Sequence, residues 1–456
     1  MFADVFANFA EHACVRDSAR SLTYAQTLAL GRTLIAGLPH PKALVILRCS
    51  LTIESVAAYV ALVVDGHVPL LLEDSLSDEL LADLTAAYQP DAIVDPRRGV
   101  LALTGMPRVP LHPELALLLT TSGSTGSPKL VRLRASGLRS NAAAIAKYLE
   151  LTAAERPLLH LPMSYSYGLS IINSHFIAGA CVCLTRWSVM EPGYWNDLKA
   201  FEASSIAGVP FHYAALRRFG EAQLDLPHLT TLTQAGGRLD PKLTKWFADW
   251  AARTGRRFFV MYGQTEAGPR IAYLPPGAAA SAPDSVGIAI DGVTIELQTE
   301  DGALVPDGTP GELVVRSAAV MLGYALSGRD LARGDEMNGV LRTGDVAVRG
   351  RDGLLRIVGR ASRMLKIYGL RVNIDEVEAR LTAQGHIALC FGEDDKLCVL
   401  MENVADTQAI RQSIVSLYSL PPRSIEVRLA AEPVTRSQAG KLTSTALMAA
   451  WEKATI

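Results

Sequence analysis

A strand–helix–strand alternation near the N-terminus constrains the fold more than any other feature of the sequence. Apolar runs at residues 43–47 and 68–72 flank a longer apolar segment at 53–64, whose length suits a helix better than a strand. Gly66 and Pro69 punctuate the return to the second strand. Strands joined by such a helix lie parallel, and parallel sheets need cover on both faces. The chain is therefore expected to form a layered α/β fold.

The same alternation recurs further along the chain and then changes. Residues 115–120 read as a strand before a loop, 136–149 as a helix, and 258–261 as a strand before a glycine. After Pro283, short alternating runs separated by Asp-Gly pairs predict an antiparallel β region. The segments after Gly359 predict a small α+β domain: apolar runs at 364–372, 387–391 and 397–401, and helices at 375–381 and 406–417.

The length of the chain predicts more than one domain. It has 456 residues, whereas a single hydrophobic core stops growing at roughly 250 to 300 residues. We expect a large N-terminal domain at residues 1–360, made of layered α/β subdomains plus the β region. Residues 361–456 are expected to form the small α+β C-terminal domain.

Composition excludes several classes of partner. With 44 Lys and Arg against 46 Asp and Glu, the chain lacks the positive charge that backbone-driven nucleic-acid binding requires. The longest apolar stretch near the start, residues 56–64, is about half of the roughly 20 residues that span a bilayer, and no secretory signal is expected from residues 1–11. Of the six cysteines, only Cys181 and Cys183 are close in sequence, which favours reduced core thiols. No nucleic acid, no membrane span and a cytoplasmic location are expected.

A loop at residues 120–129 carries the strongest chemical signal. Its ten residues hold six hydroxyls, two glycines and Lys129, directly after the apolar strand. Inward-turned backbone N–H groups, hydroxyl donors and an ammonium together suit phosphate oxygens. The alternative is a solvated Ser/Gly linker, which rarely lies between a buried strand and an amphipathic helix. The loop is not a nucleotide P-loop, because Gly126 is followed by Ser127 and Pro128 rather than by Lys and Ser or Thr.

This loop and four further motifs, in the same order, resemble the adenylate-forming superfamily, which includes acyl-CoA synthetases, nonribosomal peptide adenylation domains and firefly luciferase. The resemblance runs from about Leu22 to Leu447. The motifs are Thr121-Ser122-Gly123-Ser124-Thr125-Gly126-Ser127-Pro128-Lys129; Tyr262-Gly263-Gln264-Thr265-Glu266; Arg342-Thr343-Gly344-Asp345; Gly359-Arg360 through Lys366, Gly369 and Arg371 to Glu378; and Gly440-Lys441.

The resemblance implies how these residues would bind ATP and Mg²⁺. The first motif would bind phosphates through Thr121, Ser122, Gly123, Ser124, Thr125, Gly126 and Lys129. Tyr262 offers an aromatic face to the purine, and Glu266, beside Thr265, a hard oxygen ligand to Mg²⁺. Asp345, assisted by Arg360, would accept the ribose hydroxyls. Gly236 and Gly237 would line the adenine pocket, although a Gly-Gly pair also marks plain turns.

The resemblance also implies two half-reactions in one site. Lys441 would stabilise the charge that develops when a carboxylate attacks the α-phosphate. The small domain would then rotate about a hinge just after Gly359-Arg360, where Ser362 departs from the Asp or Lys of many members. In the second conformation Gly369 would line a thiol tunnel and Arg371 would meet phosphate oxygens. Residues 361–456 are therefore expected to be mobile.

The segment at residues 161–180 corresponds to the family's acyl-binding region. Acyl and aryl ligases usually have a histidine after its proline, and here Ser164 or Tyr165 stands in that place. No Asp or Glu occurs in the segment to pair with the ammonium of an amino acid, which favours a substrate without an α-amine. Phe211, His212 and Tyr213 suggest an aromatic wall for an aryl or short acyl group; packing at the start of a helix is the equal alternative.

The function predicted from the sequence is that of an AMP-forming acid–thiol ligase. ATP would activate an aryl or short to medium acyl acid to acyl-AMP with release of pyrophosphate, and a thiol of coenzyme A or of carrier-protein phosphopantetheine would then accept the acyl group. Two alternatives are amino-acid adenylation that loads a carrier protein and a luciferase-like oxygenase. A nucleotide-binding protein without turnover is disfavoured, because binding alone does not need Glu266, Lys441 and Arg371 together.

Overall fold

The structure is a computed structural model that describes residues 1–39, 41–120, 129–360, 363–368, 370–393, 395–403, 406–418, 420–434 and 444–455. The strands are β1 Ala13–Arg16, β2 Ser21–Thr23, β3 Leu44–Cys49, β4 Val68–Glu73, β5 Ala92–Asp95, β6 Val100–Leu103, β7 Leu115–Thr120, β8 Leu130–Arg134, β9 Pro157–Leu159, β10 Val182–Leu184, β11 Ser205–Gly208, β12 Thr231–Gln234, β13 Arg257–Tyr262, β14 Ala272–Leu274, β15 Ile288–Ala289, β16 Val293–Gln298, β17 Gly311–Ser317, β18 Gly323–Ala325, β19 Val340–Arg349, β20 Leu355–Arg360, β21 Met364–Ile367, β22 Leu370–Asn373, β23 Ala388–Glu393, β24 Lys396–Met401 and β25 Ile425–Leu429. The helices are α1 Ala3–Asn8, α2 Tyr24–Leu34, α3 Ile53–Val64, α4 Asp78–Tyr88, α5 Ala135–Tyr148, α6 Ser166–Ile177, α7 Pro192–Ala200, α8 Pro210–Phe219, α9 Glu221–Leu224, α10 Pro241–Arg253, α11 Ile374–Ala383, α12 Thr407–Tyr418 and α13 Ser444–Lys453.

The helix α3 shows how the sequence builds the α/β layers. Most of its side chains are buried, because it packs against α2 and against the neighbouring strands β3 and β4. The Thr52 hydroxyl accepts a hydrogen bond from the Ser55 N–H at 3.2 Å and so caps its first turn. Strands β3 and β4 pair in parallel on either side of this crossover, as the apolar pattern predicts.

Two large mixed sheets contain most of the strands before residue 290. The first has nine strands in the order β15-β14-β13-β12-β11-β9-β10-β1-β2, and its six strands from β13 to β1 pair in parallel. The second has seven strands in the order β18-β8-β7-β4-β3-β5-β6 and is parallel from β7 to β5. The layered α/β architecture expected from the sequence is confirmed.

Smaller sheets follow. One has four strands in the order β16-β17-β19-β20, with β19 and β20 antiparallel, as the Asp-Gly turns predict. After it come the two-stranded sheet β21-β22 and the three-stranded sheet β23-β24-β25. Apolar side chains from α11, α12 and these short sheets bury one another in a core of their own, which includes Val377, Val399, Met401 and Ile414.

Contacts within the described chain group it into two compact units. One comprises Met1–Ile295 and Val315–Leu341, and the other Glu296–Val314 and Arg342–Ile456. These units describe contacts and not movement. A mobile domain that begins after residue 360 therefore remains a prediction. Among the described residues, no helix combines the length and the apolar character needed to cross a bilayer.

Candidate functional site

Four neighbouring parallel strands of the nine-stranded sheet end on one edge, and predicted site residues lie at the ends of two of them. In sheet order these strands are β13, β12, β11 and β9. Tyr262 ends β13, Gly236 comes just after β12, Val209 follows β11, and His160 follows β9. Ligands of open parallel sheets bind outside the carboxyl ends of the strands. This edge is the candidate site of the first unit.

Lys129, Tyr324 and Glu266 form a connected group near the β13 end of this edge. Strand β18 pairs antiparallel with β8, which places Tyr324 opposite Val131 and near Lys129. The Lys129 Nζ lies 3.3 Å from the centre of the Tyr324 ring, a cation–π contact. The Tyr324 hydroxyl donates to Glu266 Oε1 at 2.9 Å. Burial, and then the charge of Glu266, raise the pKa of Tyr324, so this phenol remains a donor.

The turn that contains Glu266 is anchored on both sides. The Met321 N–H donates to the Glu266 carbonyl oxygen at 2.8 Å. The neighbouring Thr265 hydroxyl donates to Ser166 Oγ at 3.1 Å, which joins this turn to the first residue of α6. A Cβ on Gly263 would lie 2.3 Å from the Pro269 carbonyl oxygen, so only glycine fits there. The carboxylate is therefore held on a braced turn.

Gly236 and Tyr165 meet at the end of β12. Gly236 has a φ of +79°, and a Cβ there would lie 2.3 Å from the Tyr165 hydroxyl oxygen and 3.1 Å from Val209. Gly237 lies similarly close to the Pro210 ring, 3.1 Å from a Cβ at this position. Both glycines therefore allow close approach by side chains, Tyr165 at Gly236 and Pro210 at Gly237. Burial raises the pKa of Tyr165, one of the two residues expected in place of the family's histidine.

Tyr167, the second tyrosine of this segment, is a structural support for the site. Its hydroxyl donates to the Thr233 carbonyl oxygen at 2.8 Å, which ties α6 to β12. The guanidinium of Arg270, itself buried, lies 4.1 Å from the centre of the Tyr167 ring. Burial raises the pKa of Tyr167 to about 12, although the charge of Arg270 opposes that shift.

His160, Tyr194 and His212 form a group, here called the imidazole cluster, at the β9 end of the edge. The His160 ring lies edge to face with those of His212 and Tyr194, with centroids 4.6 Å and 5.3 Å apart. The Val209 N–H donates to His212 Nδ1 at 3.1 Å. Burial lowers the pKa of His160 to about 3, with a further contribution from His212, and lowers that of His212 to about 4. Both rings are therefore neutral at neutral pH.

The three residues expected to form an aromatic wall lie in different environments. Phe211 is 63% exposed, and its ring centroid is 5.7 Å from that of His212. Tyr213 is fully buried and packs on Phe247 and Phe258 in the core of the first unit. Of the two alternatives left open by the sequence, helix-start packing holds for Tyr213, while Phe211 and His212 lie at the candidate edge.

One carboxylate comes close to the acyl-binding segment from outside it. Glu73, at the end of β4, has its Oε1 3.5 Å from the Ser164 hydroxyl oxygen. Glu73 is exposed, so its negative charge is screened by water. It does not provide the buried partner that an α-ammonium would need.

Asp345 and Arg360 form an ion pair in the second unit. They are directly opposite each other in the antiparallel pair β19–β20, and Arg360 Nε lies 3.1 Å from Asp345 Oδ1. The Asp345 side chain is 9% exposed and that of Arg360 is 68% exposed. Gly344 has a φ of +72°, and the Asp345 N–H donates to the Thr343 hydroxyl oxygen at 3.1 Å. This pairing brings together the two residues expected to bind ribose.

Several expected site residues lie outside the described part of the chain. They are Thr121, Ser122, Gly123, Ser124, Thr125 and Gly126 of the phosphate loop, the hinge residue Ser362, Gly369, and Lys441. The backbone of Arg371 belongs to β22, but its side chain is not described. Their roles remain predictions.

Other residues of the site were missed by the sequence analysis. Tyr324, Ser166 and His160 each contact an expected site residue, and Tyr194 contacts His160, yet none of the four belongs to a motif. His160 had one signal, because it directly follows an apolar strand that precedes the acyl-binding segment. Among the described residues, no group of three or more His, Cys, Asp and Glu side chains could hold a metal ion. A Mg²⁺ ion at Glu266 would thus need most of its ligands from water or phosphate oxygens, which Mg²⁺ prefers.

Comparison with known proteins gives ligases and synthetases as relatives. Residues 99–325 match the family model described as AMP-binding enzyme. The chain is 30% identical over 279 residues to a long-chain-fatty-acid–CoA ligase of Escherichia coli, covering 58% of this chain and 47% of the ligase. It is 25% identical over 384 residues to the nonribosomal peptide synthetase gloA of Glarea lozoyensis, covering 78% of this chain and 5% of that protein. The chain thus spans half or less of these relatives.

The fold has close counterparts among solved structures. O-succinylbenzoate coenzyme A synthetase of Bacillus subtilis, in complex with ATP and a magnesium ion, superposes with a TM-score of 0.75 and 19% identity. The superposition covers 97% of this chain and 98% of that one. This likeness shows a shared fold. The family match over residues 99–325 identifies the chain as a member of the adenylate-forming superfamily of AMP-binding enzymes.

Proposed function

We propose that the chain is an AMP-forming acid–thiol ligase. In the first half-reaction a carboxylate oxygen attacks the α-phosphorus of ATP, the bond to the β-phosphate bridging oxygen breaks, and pyrophosphate leaves. In the second, a thiol sulfur attacks the acyl carbon, AMP leaves, and the thiol proton passes to solvent or base. The acceptor thiol is that of coenzyme A or of carrier-protein phosphopantetheine.

The arrangement of Lys129, Tyr324 and Glu266 carries this proposal. An ammonium at the end of the phosphate loop and a carboxylate suited to Mg²⁺ are both positioned by one tyrosine. Because Tyr324 fixes Oε1 of Glu266, the second oxygen can ligate a cation without reorganisation of the side chain. The ammonium of Lys129 suits the negative phosphates, and the carboxylate of Glu266 suits the metal ion. The pair therefore matches a nucleoside triphosphate with its bound metal.

The remaining assignments rest on the sequence motifs. Tyr262, Gly236 and Gly237 are proposed to contact the adenine, and Asp345 with Arg360 the ribose. Lys441 is proposed as the catalytic lysine of the first half-reaction. Movement of residues 361–456 about the stretch that contains Ser362 would bring Gly369 and Arg371 into use for thiol transfer. We propose a cytoplasmic location, where ATP and reduced thiol acceptors are available.

The acid is proposed to lack an α-amine. Residues 161–180 contain no carboxylate, and the nearby Glu73 is exposed. Desolvating an unpaired ammonium costs several kcal/mol, so α-amino acids should be poorer substrates by orders of magnitude. Exchange driven best by a free α-amino acid would contradict this assignment.

The test is pyrophosphate exchange with a panel of carboxylic acids. Purified protein, ATP, Mg²⁺ and the right acid should incorporate labelled pyrophosphate into ATP, and hydroxylamine should trap the acyl group. Omission of either the acid or Mg²⁺ is the control, and each should abolish exchange. Release of ADP and phosphate in place of AMP and pyrophosphate would contradict the proposed function.

A further inference from the structure

The imidazole cluster contains polar atoms that the protein does not satisfy. Neither ring nitrogen of His160 has a hydrogen-bond partner among the described residues, and both nitrogens are shielded from solvent. The Tyr194 hydroxyl is in the same situation, and the Tyr194 side chain is fully buried. A buried polar group left unpaired costs about 1 to 3 kcal/mol. Adjacent unpaired groups are therefore expected where a bound molecule completes them.

The hydrogen-bonding character of the cluster follows from its contacts. His212 Nδ1 accepts the Val209 N–H, so the neutral His212 ring carries its proton on Nε2 and offers a donor there. His160, neutral as well, offers one donor and one acceptor, and Tyr194 offers a hydroxyl that can do either. The rings nearest to His160 are uncharged, so the cluster suits an uncharged polar group better than a second carboxylate.

The sheet order locates the cluster relative to the nucleotide end. His160 follows β9, which is separated from β12 by β11 and from β13 by β12 and β11. At a strand spacing of about 4.8 Å, the carboxyl end of β9 lies roughly 10 Å along the sheet from that of β12, which precedes Gly236, and roughly 14 Å from that of β13, which precedes Glu266. Tyr165 and Val209 lie close to Gly236, and Phe211 lies beside His212. This distance corresponds to several bonds of a substrate that extends from the reacting carboxyl.

We propose that the acid substrate carries an uncharged hydrogen-bonding group, such as a hydroxyl, carbonyl or amide, several bonds from its carboxyl, and that His160, with His212 and Tyr194, binds this group. The inference rests on the proposed ligase function, because the group is recognised as part of the activated acid. His160 is the specificity-determining residue: part of its side chain remains accessible, whereas Tyr194 is fully covered.

Matched pairs of acids test this inference in pyrophosphate exchange with the full chain. Each pair differs by one terminal group: hexanoic and omega-hydroxyhexanoic acid, phenylpropanoic and para-hydroxyphenylpropanoic acid, and benzoic and para-hydroxybenzoic acid, with adipic acid as the charged counterpart. Wild-type protein should prefer the hydroxylated member of at least one pair by about tenfold or more in kcat/KM. His160→Phe, which keeps a ring but removes both nitrogens, should reduce this preference to within about threefold.

Two matched variants separate recognition from folding. Tyr194→Phe should weaken the preference in the same direction as His160→Phe, and it serves as the test if the histidine variant does not fold. Tyr213→Phe removes another buried, unpartnered hydroxyl, on a residue that packs in the core; it should leave the preference as in wild type.

The outcomes distinguish this inference from the function on which it rests. Exchange without any preference for hydroxylated acids, a preference for adipic acid, or an unchanged preference in His160→Phe and Tyr194→Phe would overturn the inference but leave the ligase function in place. Absence of exchange with every acid, together with release of ADP from ATP, would overturn the ligase function.

Discussion

The two ends of the candidate edge differ in how their polar groups are satisfied. At the β13 end, Lys129, Tyr324 and Glu266 contact one another, and Thr265 donates to Ser166. At the β9 end, the His160 nitrogens and the Tyr194 hydroxyl have no partner within the described chain. At the β13 end the protein positions its own polar groups, whereas at the β9 end the polar groups remain available to a ligand.

This difference suggests a division of roles. A site for a constant ligand such as ATP gains from groups fixed in advance, because no reorganisation is then needed during reaction. A site that selects among acids gains specificity from unpaired groups, because a substrate without the matching polar group leaves them buried and without a hydrogen bond. The unpaired groups destabilise the unliganded protein, and a substrate that satisfies them binds more tightly than one that does not.

Removal of the metal-ligand candidate should have the largest effect. Glu266→Ala should lower kcat/KM for pyrophosphate exchange by about 10² to 10³, the scale of losing one preorganised electrostatic contact in an active site. The variant should also need more Mg²⁺ to reach half of its maximal rate. Both are measured by exchange over a Mg²⁺ titration.

A surface carboxylate provides the control for Glu266. Glu150→Ala removes an exposed residue paired with Arg257 at 2.8 Å, and such pairs contribute little. It should exchange pyrophosphate at wild-type rates. Equal losses in the two variants, or a Glu266→Ala enzyme with wild-type kinetics, would show that the β13 end does not have the role assigned to it.

Acidification should lower the free energy of unfolding through the histidines of the β9 end. The pKa of His160 is lowered to about 3, against about 6.5 in an unfolded chain. The stability that this neutral ring contributes is complete above pH 6.5 and is lost as the pH falls toward 3, because the unfolded state takes up the proton first. Between pH 7 and pH 5 this loss is about 2 kcal/mol for His160 alone.

Denaturant unfolding at the two pH values checks this expectation. The free energy of unfolding of His160→Phe should fall by about 2 kcal/mol less than that of wild type between pH 7 and pH 5. Tyr213→Phe, a change of a non-titrating side chain in this range, should show the wild-type pH dependence. A His160→Phe protein with unchanged pH dependence would mean that His160 is solvated in the folded state.

The β13 end was largely predictable from the sequence, whereas the β9 end was not. Glu266, Lys129 and Gly236 belong to motifs or to a recognisable glycine pair, since a phosphate loop and a close backbone approach require particular residue types. The strands and helix α3 were predictable for a similar reason, because apolar periodicity and the length of an apolar run decide whether a segment forms a strand or a helix.

Contacts between distant segments have no such local signature. Tyr324 lies 58 residues from Glu266 in the sequence, and it reaches Glu266 because β18 pairs with β8, a pairing that no motif indicates. His160 likewise follows β9, whereas Tyr194 lies in α7 and His212 in α8, and only the sheet order brings them together. The same holds for Glu73, which lies close to Ser164 because β4 ends nearby.

The smallest expected effect comes from the tyrosine that connects Lys129 with Glu266. Tyr324→Phe keeps the ring that Lys129 contacts and removes only the hydroxyl that donates to Glu266 Oε1. A hydrogen bond to a charged group contributes about 1.5 to 3 kcal/mol, and Glu266 is only half-buried, so the lower end of that range applies. We therefore expect kcat/KM for exchange to fall about tenfold.

A double-mutant comparison shows whether the tyrosine acts through Glu266. In a Glu266→Ala background, Tyr324→Phe should cost little more, because the hydrogen bond is already gone. Tyr88→Phe is the matched control: the Tyr88 hydroxyl donates to the carbonyl oxygen of Ala325, the residue after Tyr324, at 2.7 Å. That change should lower the melting temperature without altering exchange by the folded enzyme. Additive losses in the double variant would mean that Tyr324 serves the nucleotide directly, and the β13 end would then be less completely prearranged than its contacts indicate.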